Sequence, residues 1–302
     1  SSLFLNYIEC APEAVRFYRC APTLENLEAA AREIPAGFPF PRKELGAILR
    51  RQNELFGSGR ETFENIDNLE RPDCAAILTG QQVGLFTGPL YTVYKALTAV
   101  HLAAELGRRG IRAVPVFWME TEDHDLPEAT RRTIREPDGS LGVRDYAGML
   151  FAGTGAPRGS VGAMRFPESI REVVRDFVDH LPDGTCRQEV QRQLESAYRP
   201  GASFAGAFGR LLAQLMLGTG LVLFDPRDAE AKRLVRPVFQ RAVRGADAIR
   251  EALLQRGRDL EAGGFHAQVN VLENSTVLFY LQDGDRCSLE KSGTGFVLKN
   301  SG

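Results

Sequence analysis

The sequence predicts an α/β protein built on a parallel sheet with helices on both faces. Three observations predict it. Two apolar runs, Cys74 to Leu78 and Ala113 to Met119, have strand length and the unbroken hydrophobicity of strands covered on both sides. Between them Leu90, Val93, Leu97, Val100 and Ala104 recur at helical spacing, on a helix that Pro89 opens and Gly107 and Gly110 close. A third apolar run, Leu221 to Phe224, leads through Asp225-Pro226-Arg227-Asp228 into another helical segment. Strand, helix, strand in roughly 50 residues makes a βαβ unit with a right-handed crossover.

The elements follow in order. Residues 1–73 read as accessory helices packed on the core, over Pro12 to Tyr18, Leu24 to Ile34 and Arg42 to Phe56; Leu45, Ile48, Leu49 and Leu55 form the stripe of the last. Residues 74–126 form the βαβ unit. Residues 127–217 read as an insert: loops and short strands to Phe166, a charge-rich helical stretch broken near Leu181-Pro182-Asp183-Gly184, then an apolar helix from Phe204 to Leu217. Residues 218–302 continue the core with a strand, a long helix capped by Asp228 and running to about Gln255, and late strands forming a hairpin at Asp283-Gly284.

Composition bounds the partners. The chain has 302 residues, enough for a sizeable core, and a net charge of −2, which supplies no global field for nucleic acid or anionic membrane. No apolar run reaches membrane-spanning length, and no leader pattern opens the chain. Five scattered cysteines with no C-x-x-C pair read as reduced thiols in a cytoplasm.

Ligands of open parallel sheets bind beyond the carboxyl ends of the strands. Thr79 to Gly88 leaves the end of the first run and Glu120 to Asp125 that of the second, so both open on one edge, with Asp225 and Asp228 expected beside them. Gly80, Gly84 and Gly88 recur every four residues, which matches neither a phosphate loop with Gly-Lys-Ser/Thr nor the dinucleotide G-x-G-x-x-G. One reading is a backbone that approaches a phosphate or carboxylate, with Gln81 and Gln82 as amide partners and a helix N-terminus behind them. The plainer reading is a connection that needs glycine dihedrals.

Tyr91 and Lys95 stand one turn apart, off the apolar stripe; Lys95 can reach an anion at the helix start or simply face solvent. Glu120, Glu122, Asp123, His124 and Asp125 place four carboxylates and an imidazole within six residues, after a strand that carries Trp118. Such crowding suits acid/base work or a metal site. The plainer reading is a polar loop with Asp125 as a helix cap. One histidine and no paired cysteine make no zinc signature. His101, His180 and His266 are isolated.

The stretch TGQQVGLFTGPLYTVYKA (79–96), followed by VPVFWMETEDHD (114–125), resembles the paired signature of the cysteine-adding ligase family of bacillithiol biosynthesis. Weaker similarity extends through the region of Asn53, LVLFDPRD (221–228), and the segments of Gln268 and Arg286. The resemblance implies a Rossmann-like core with inserted connecting segments, and a coiled coil that makes the family homodimeric. It implies a reaction joining cysteine to glucosaminyl-malate, with an ATP/ADP-type nucleotide activating the carboxylate. On that reading Thr79, Gly80, Gln81, Gln82, Gly84, Gly88 and Tyr91 serve the nucleotide. Asp123, His124, Asp125 and Lys95 serve catalysis, and Trp118, Glu120 and Glu122 hold substrate; no metal ligand is assigned. The family's chains are much longer, so an incomplete chain is expected. No sustained heptads follow Gly264, so the dimerising element is expected to be absent. Two other classes stay open: a metal-dependent nucleotidyltransferase or hydrolase using the acidic cluster, and a non-catalytic nucleotide-binding module.

Overall fold

A computed structural model describes residues 2–35, 40–136, 138–153, 155, 157–272, 274–282 and 285–300. The chain divides into two compact units, Ser1–Gly37 with Val235–Gly302, and Phe38–Leu234. The expected segments 1–73 and 218–302 are therefore each shared between units. Three helices, α1 (Ser2–Ile8), α2 (Pro12–Val15) and α3 (Leu24–Glu33), open the first unit.

The second unit begins with α4 (Arg42–Phe56) and α5 (Arg60–Leu69). Then come β1 (Ala75–Gln82), α6 (Tyr91–Arg108) and β2 (Ala113–Glu120). The insert holds α7 (Leu126–Thr130), the antiparallel pair β3 (Arg131–Arg135) and β4 (Leu141–Asp145), and α8 (Ala147–Leu150). It continues with α9 (Ile170–Asp179), α10 (Thr185–Ala197) and α11 (Phe204–Leu215). β5 (Val222–Phe224) completes a parallel sheet of order β1-β2-β5. This is the predicted Rossmann-like arrangement.

Strand alternation in β2 sends side chains to two cores. Val114 and Val116 join Leu49, Ile66, Cys74 and Val222 on one face. Phe117 and Met119 join Phe204, Phe208, Leu212 and Tyr198 on the other, where the insert packs. Coverage of both faces fails at β1, where Leu78 is 61% exposed. β1 is an edge strand, and among the described residues α4 and α5 pack over the β2–β5 side.

The α6 stripe is also rotated from the expected one. Thr92, Ala96, Ala99, Ala103 and Leu106 face inward, while Leu90 is 67% exposed and Ala104 is exposed too. Small residues let the helix backbone approach β1 and β2 closely, and Val93, Leu97 and Val100 fill the flanks half-buried.

β5 has an open edge, and side chains close it. Leu221, Leu223 and Asp225 present backbone groups there at the strand period of two. Thr62 Oγ1 donates to Leu221 O (3.1 Å). Asn53 Nδ2 donates to Leu223 O (2.9 Å) while Leu223 N donates to Asn53 Oδ1 (3.1 Å). Gln52 does the same for Asp225 O (3.0 Å) and N (2.9 Å). Three side chains thus stand in for a neighbouring strand and fix where β5 ends.

After β5, α12 (Ala229–Arg244) and α13 (Ala246–Ala262) replace the expected single helix to Gln255. They part at Gly245, the weakest helix former short of proline. In the first unit Leu260 and Phe265 pack with Leu3 and Ala14. The late strands are an antiparallel sheet of β6 (Ser275–Gln282), β7 (Asp285–Ser292) and β8 (Gly295–Asn300). The expected hairpin turn at Asp283-Gly284 lies outside the described residues.

Candidate active site

The parallel register sets the site. Gln82 stands beside Glu120 at the carboxyl ends of β1 and β2, and Trp118 beside Phe224 near that of β5. The expected loop from Thr79 is corrected here: Thr79, Gly80, Gln81 and Gln82 are the last four residues of β1, and the connection proper begins at Val83. An alternating ladder with Phe117, Trp118, Met119 and Glu120 holds those four in place.

Each glycine of the triplet meets a local demand. A Cβ at Gly80 would lie 2.6 Å from Trp118 O, so the neighbouring strand excludes it. One at Gly84 would lie 3.1 Å from Ala129 O and collide with the Arg132 guanidinium. Gly88 has φ +77°, which favours glycine. The connection between them is core, with Val83, Leu85, Phe86 and Thr87 all buried. Phe86 and Thr87 hold left-handed φ values of 55° and 69°.

Buried polar groups over-determine that strained turn. Arg132 donates to Leu85 O (2.6 Å), Ala129 O (2.6 Å) and Glu128 O (3.2 Å). Burial pushes its guanidinium down to about 10. Thr87 N donates to the Tyr198 hydroxyl, which donates in turn to Gly84 O, both at 3.4 Å. Burial pushes the Tyr198 phenol up to about 12.

On the solvent side Lys95 Nζ donates to Gln81 Oε1 (3.0 Å) and Gly80 O (3.2 Å), and lies 5.1 Å from the Tyr91 ring centroid. Lys95, Tyr91 and Gln81 therefore form one group at the start of α6. Thr92 Oγ1, one residue on, is buried with no hydrogen-bond partner among the described residues and faces Gly88. Gln82 Nε2 reaches Asp125 O (3.4 Å), which ties the end of β1 to the acidic loop.

The acidic loop is spread out. Half-buried Glu120 accepts from Glu122 N (3.3 Å), and burial raises its pKa. Glu122 pairs with Lys232. Asp123 Oδ1 accepts from His124 N (2.6 Å), and half-buried His124 follows. Asp125 Oδ1 caps α7 by accepting from Glu128 N (2.9 Å). No group of three His, Cys, Asp or Glu side chains among the described residues converges as a metal site. The insert clamps the loop from behind: Val161 N donates to Asp123 O (2.8 Å) and Gly162 N to Thr121 O (3.2 Å). A Cβ at Gly162 would collide with Thr121.

Sequence reasoning missed Lys232, Arg132, Tyr198, Val161 and Gly162. All but Lys232 come from the insert, and no local spacing connects them to residues 79–125. Asp225 is where it was expected. It accepts from Thr121 Oγ1 (2.6 Å) and binds Arg227 through Nη2 (2.8 Å) and Nε (3.2 Å).

Comparison with known proteins agrees with the Rossmann-like fold. Residues 1–302 match the family model "Bacillithiol biosynthesis BshC, N-terminal Rossmann-like domain". Curated relatives named "Putative cysteine ligase BshC" include one from Koribacter versatilis, 38% identical over 97% of this chain and 53% of its own length. Another, from Salinibacter ruber, is 35% identical over 95% of this chain and 52% of its own length. A third, from Chlorobaculum tepidum, is 38% identical over 83% and 44%. The chain spans about half the length of the curated relatives it matches. With the matched model covering all of it, the chain belongs to the BshC family of bacillithiol biosynthesis.

Proposed function

We propose that this domain carries the amide-forming centre of a ligase that joins the carboxyl of cysteine to the amine of glucosaminyl-malate at the expense of an ATP-type nucleotide. The observation that carries this reading is the meeting of two stretches at one sheet edge. Lys95, Tyr91 and Gln81 group at the α6 start, and Gln82 bridges to the Glu120–Asp125 loop.

Amide formation needs an activated carboxyl, a neutral amine and stabilisation of the charge that develops on the carbonyl oxygen. The nucleotide supplies the activation. The α6 start fits an anion: Gly88 leaves the approach open, the Thr92 hydroxyl is unsatisfied, and Lys95 supplies charge. In this reading Gln81, Gln82 and Tyr91 flank that group, while Thr79, Gly80 and Gly84 set the backbone beneath it. The amine nitrogen attacks the carbonyl carbon, the bond to the phosphate-bearing leaving group breaks, and the amine proton passes to His124, with Asp123 beside it. Glu120 and Glu122 hold a substrate ammonium against Trp118, and Asp125 fixes the loop as a helix cap. The setting is the cytoplasm, and the full-length protein is a homodimer through the family's coiled coil.

The test is mass-spectrometric detection of the amide product from full-length protein, cysteine, glucosaminyl-malate and ATP. His124→Asn should lower turnover by roughly 10²-fold or more, with nucleotide affinity little changed and the acid limb of the pH–rate profile lost. Near-normal turnover with an unchanged profile would move the base to Asp123. Absence of product from the wild-type protein would sink the ligase reading.

A further inference from the structure

A second feature lies beyond the end of β5. A cleft of about 670 Å³ opens between the C-terminal half of α4, the segment leading into α11, and the residues after β5. Five arginines line it: Arg51, Arg165, Arg199, Arg210 and Arg227. The carboxylates in its lining are Asp225 and Asp228, so five positive charges face two negative ones. That local excess of three stands in a chain whose net charge is −2.

Pairing sharpens the imbalance. Asp225 is held by Arg227 (2.8 Å), and Arg51 holds both Asp228 and, outside the cleft lining, Glu230 (2.7 Å each), which leaves the excess on Arg165, Arg199 and Arg210. Arg165 donates to the carbonyl of Gly201 (2.7 Å) and Arg210 to that of Leu55 (3.2 Å). Among the described residues no carboxylate lies within ion-pair distance of Arg165, Arg199 or Arg210. Arg165 pairs through its backbone with Ser203, the N-cap of the twelve-residue α11; Arg199 lies just before that cap in the chain, and Arg210 stands about two turns into the helix. The positive end of the α11 dipole therefore adds to the same field.

Like charges gathered in a concave surface repel one another, and their field is strengthened by the low-dielectric walls. A guanidinium is a planar fork that matches carboxylate and phosphate oxygens two at a time. We propose that this cleft binds a small oxyanion bearing two or more negative charges, held by Arg165 and Arg199 near the α11 N-terminus and by Arg210 farther along the same cleft wall. The shared chemistry is a pair of carboxylate or phosphate groups, and either an acidic substrate or a nucleotide phosphate can bring it. Asp225, in the cleft wall, accepts from Thr121 at the end of β2, so an anion held here adjoins the acidic loop. The inference does not depend on the ligase reading, because binding is measured without turnover.

Calorimetry of the full-length protein at low salt tests it, with succinate and pyrophosphate as probes. One of the two should bind at millimolar concentration or tighter, and which one binds identifies the source. Arg199→Gln and Arg165→Gln, both at exposed positions, should each weaken that binding about tenfold or more, and Arg199→Lys less. Arg192→Gln, an equal charge change on α10 outside the cleft, should leave it unchanged. No heat from either probe would overturn the proposal. So would equal weakening by Arg192→Gln, which would reduce the effect to general screening.

Discussion

Asn53→Ala removes the side chain that stands in for a strand beside β5. Asn53 is fully buried, and so is Leu223, whose N–H and C=O it pairs at 3.1 and 2.9 Å. Alanine leaves both backbone groups buried and unpaired. Each orphaned group costs about 1–3 kcal/mol, so the variant should lose about 2–6 kcal/mol in all. For a unit of this size that is a fall in Tm of roughly 4–24 °C, readable by calorimetry or circular dichroism. Asn53→Asp is a sharper probe. It keeps the acceptor for Leu223 N but presents a carboxylate to Leu223 O and Leu49 O, which Asn53 Nδ2 now serves at 2.9 and 2.8 Å. It should be at least as destabilising as alanine. Because Asn53 and Gln52 pair successive open-edge positions of one short strand, a double-mutant cycle between them should be non-additive. A loss below about 1 kcal/mol for Asn53→Ala would refute this account of how β5 is held.

Three further outcomes are expected. Arg132→Met keeps the apolar stem but releases Leu85 O and Ala129 O; removing a buried cation offsets part of the cost, so a net loss of about 2 kcal/mol should appear in denaturant unfolding. Burial pushes the Cys74 thiol up to about 11 from 9.0, so the unfolded thiol ionises first; stability should fall between pH 9 and 11 by up to about 3 kcal/mol, and Cys74→Ala should remove that part of the slope. Burial likewise raises Glu120 above its ordinary 4.5, so its charge costs stability as pH rises past that value; Glu120→Gln should be more stable than wild type at pH 7, with the advantage gone below about pH 4 in matched unfolding curves.

The sequence by itself determined the layout of the core and the sheet edge where the candidate site lies. Apolar runs of strand length around a helical repeat fixed a parallel β1–β2 pair, because period and length are local properties. Parallel pairing then forced Gln82 and Glu120 to one edge, since strands that run the same way end on the same side. The Asp228 cap and the break between α9 and α10 were legible for the same reason: capping and turn chemistry act within a few residues.

Tertiary structure decided what local pattern does not encode. The inward face of α6 is its alanine line, because closeness of approach to the sheet is a property of two packed surfaces. Gly80 and Gly84 answer to Trp118 and Arg132, partners far along the chain. Asn53, Gln52 and Thr62 serve backbone groups about 160 to 170 positions away, and amide side chains on a helix carry no mark of such a duty. The arginines of the cleft come from four separate segments, so only the fold gathers their charges into one field.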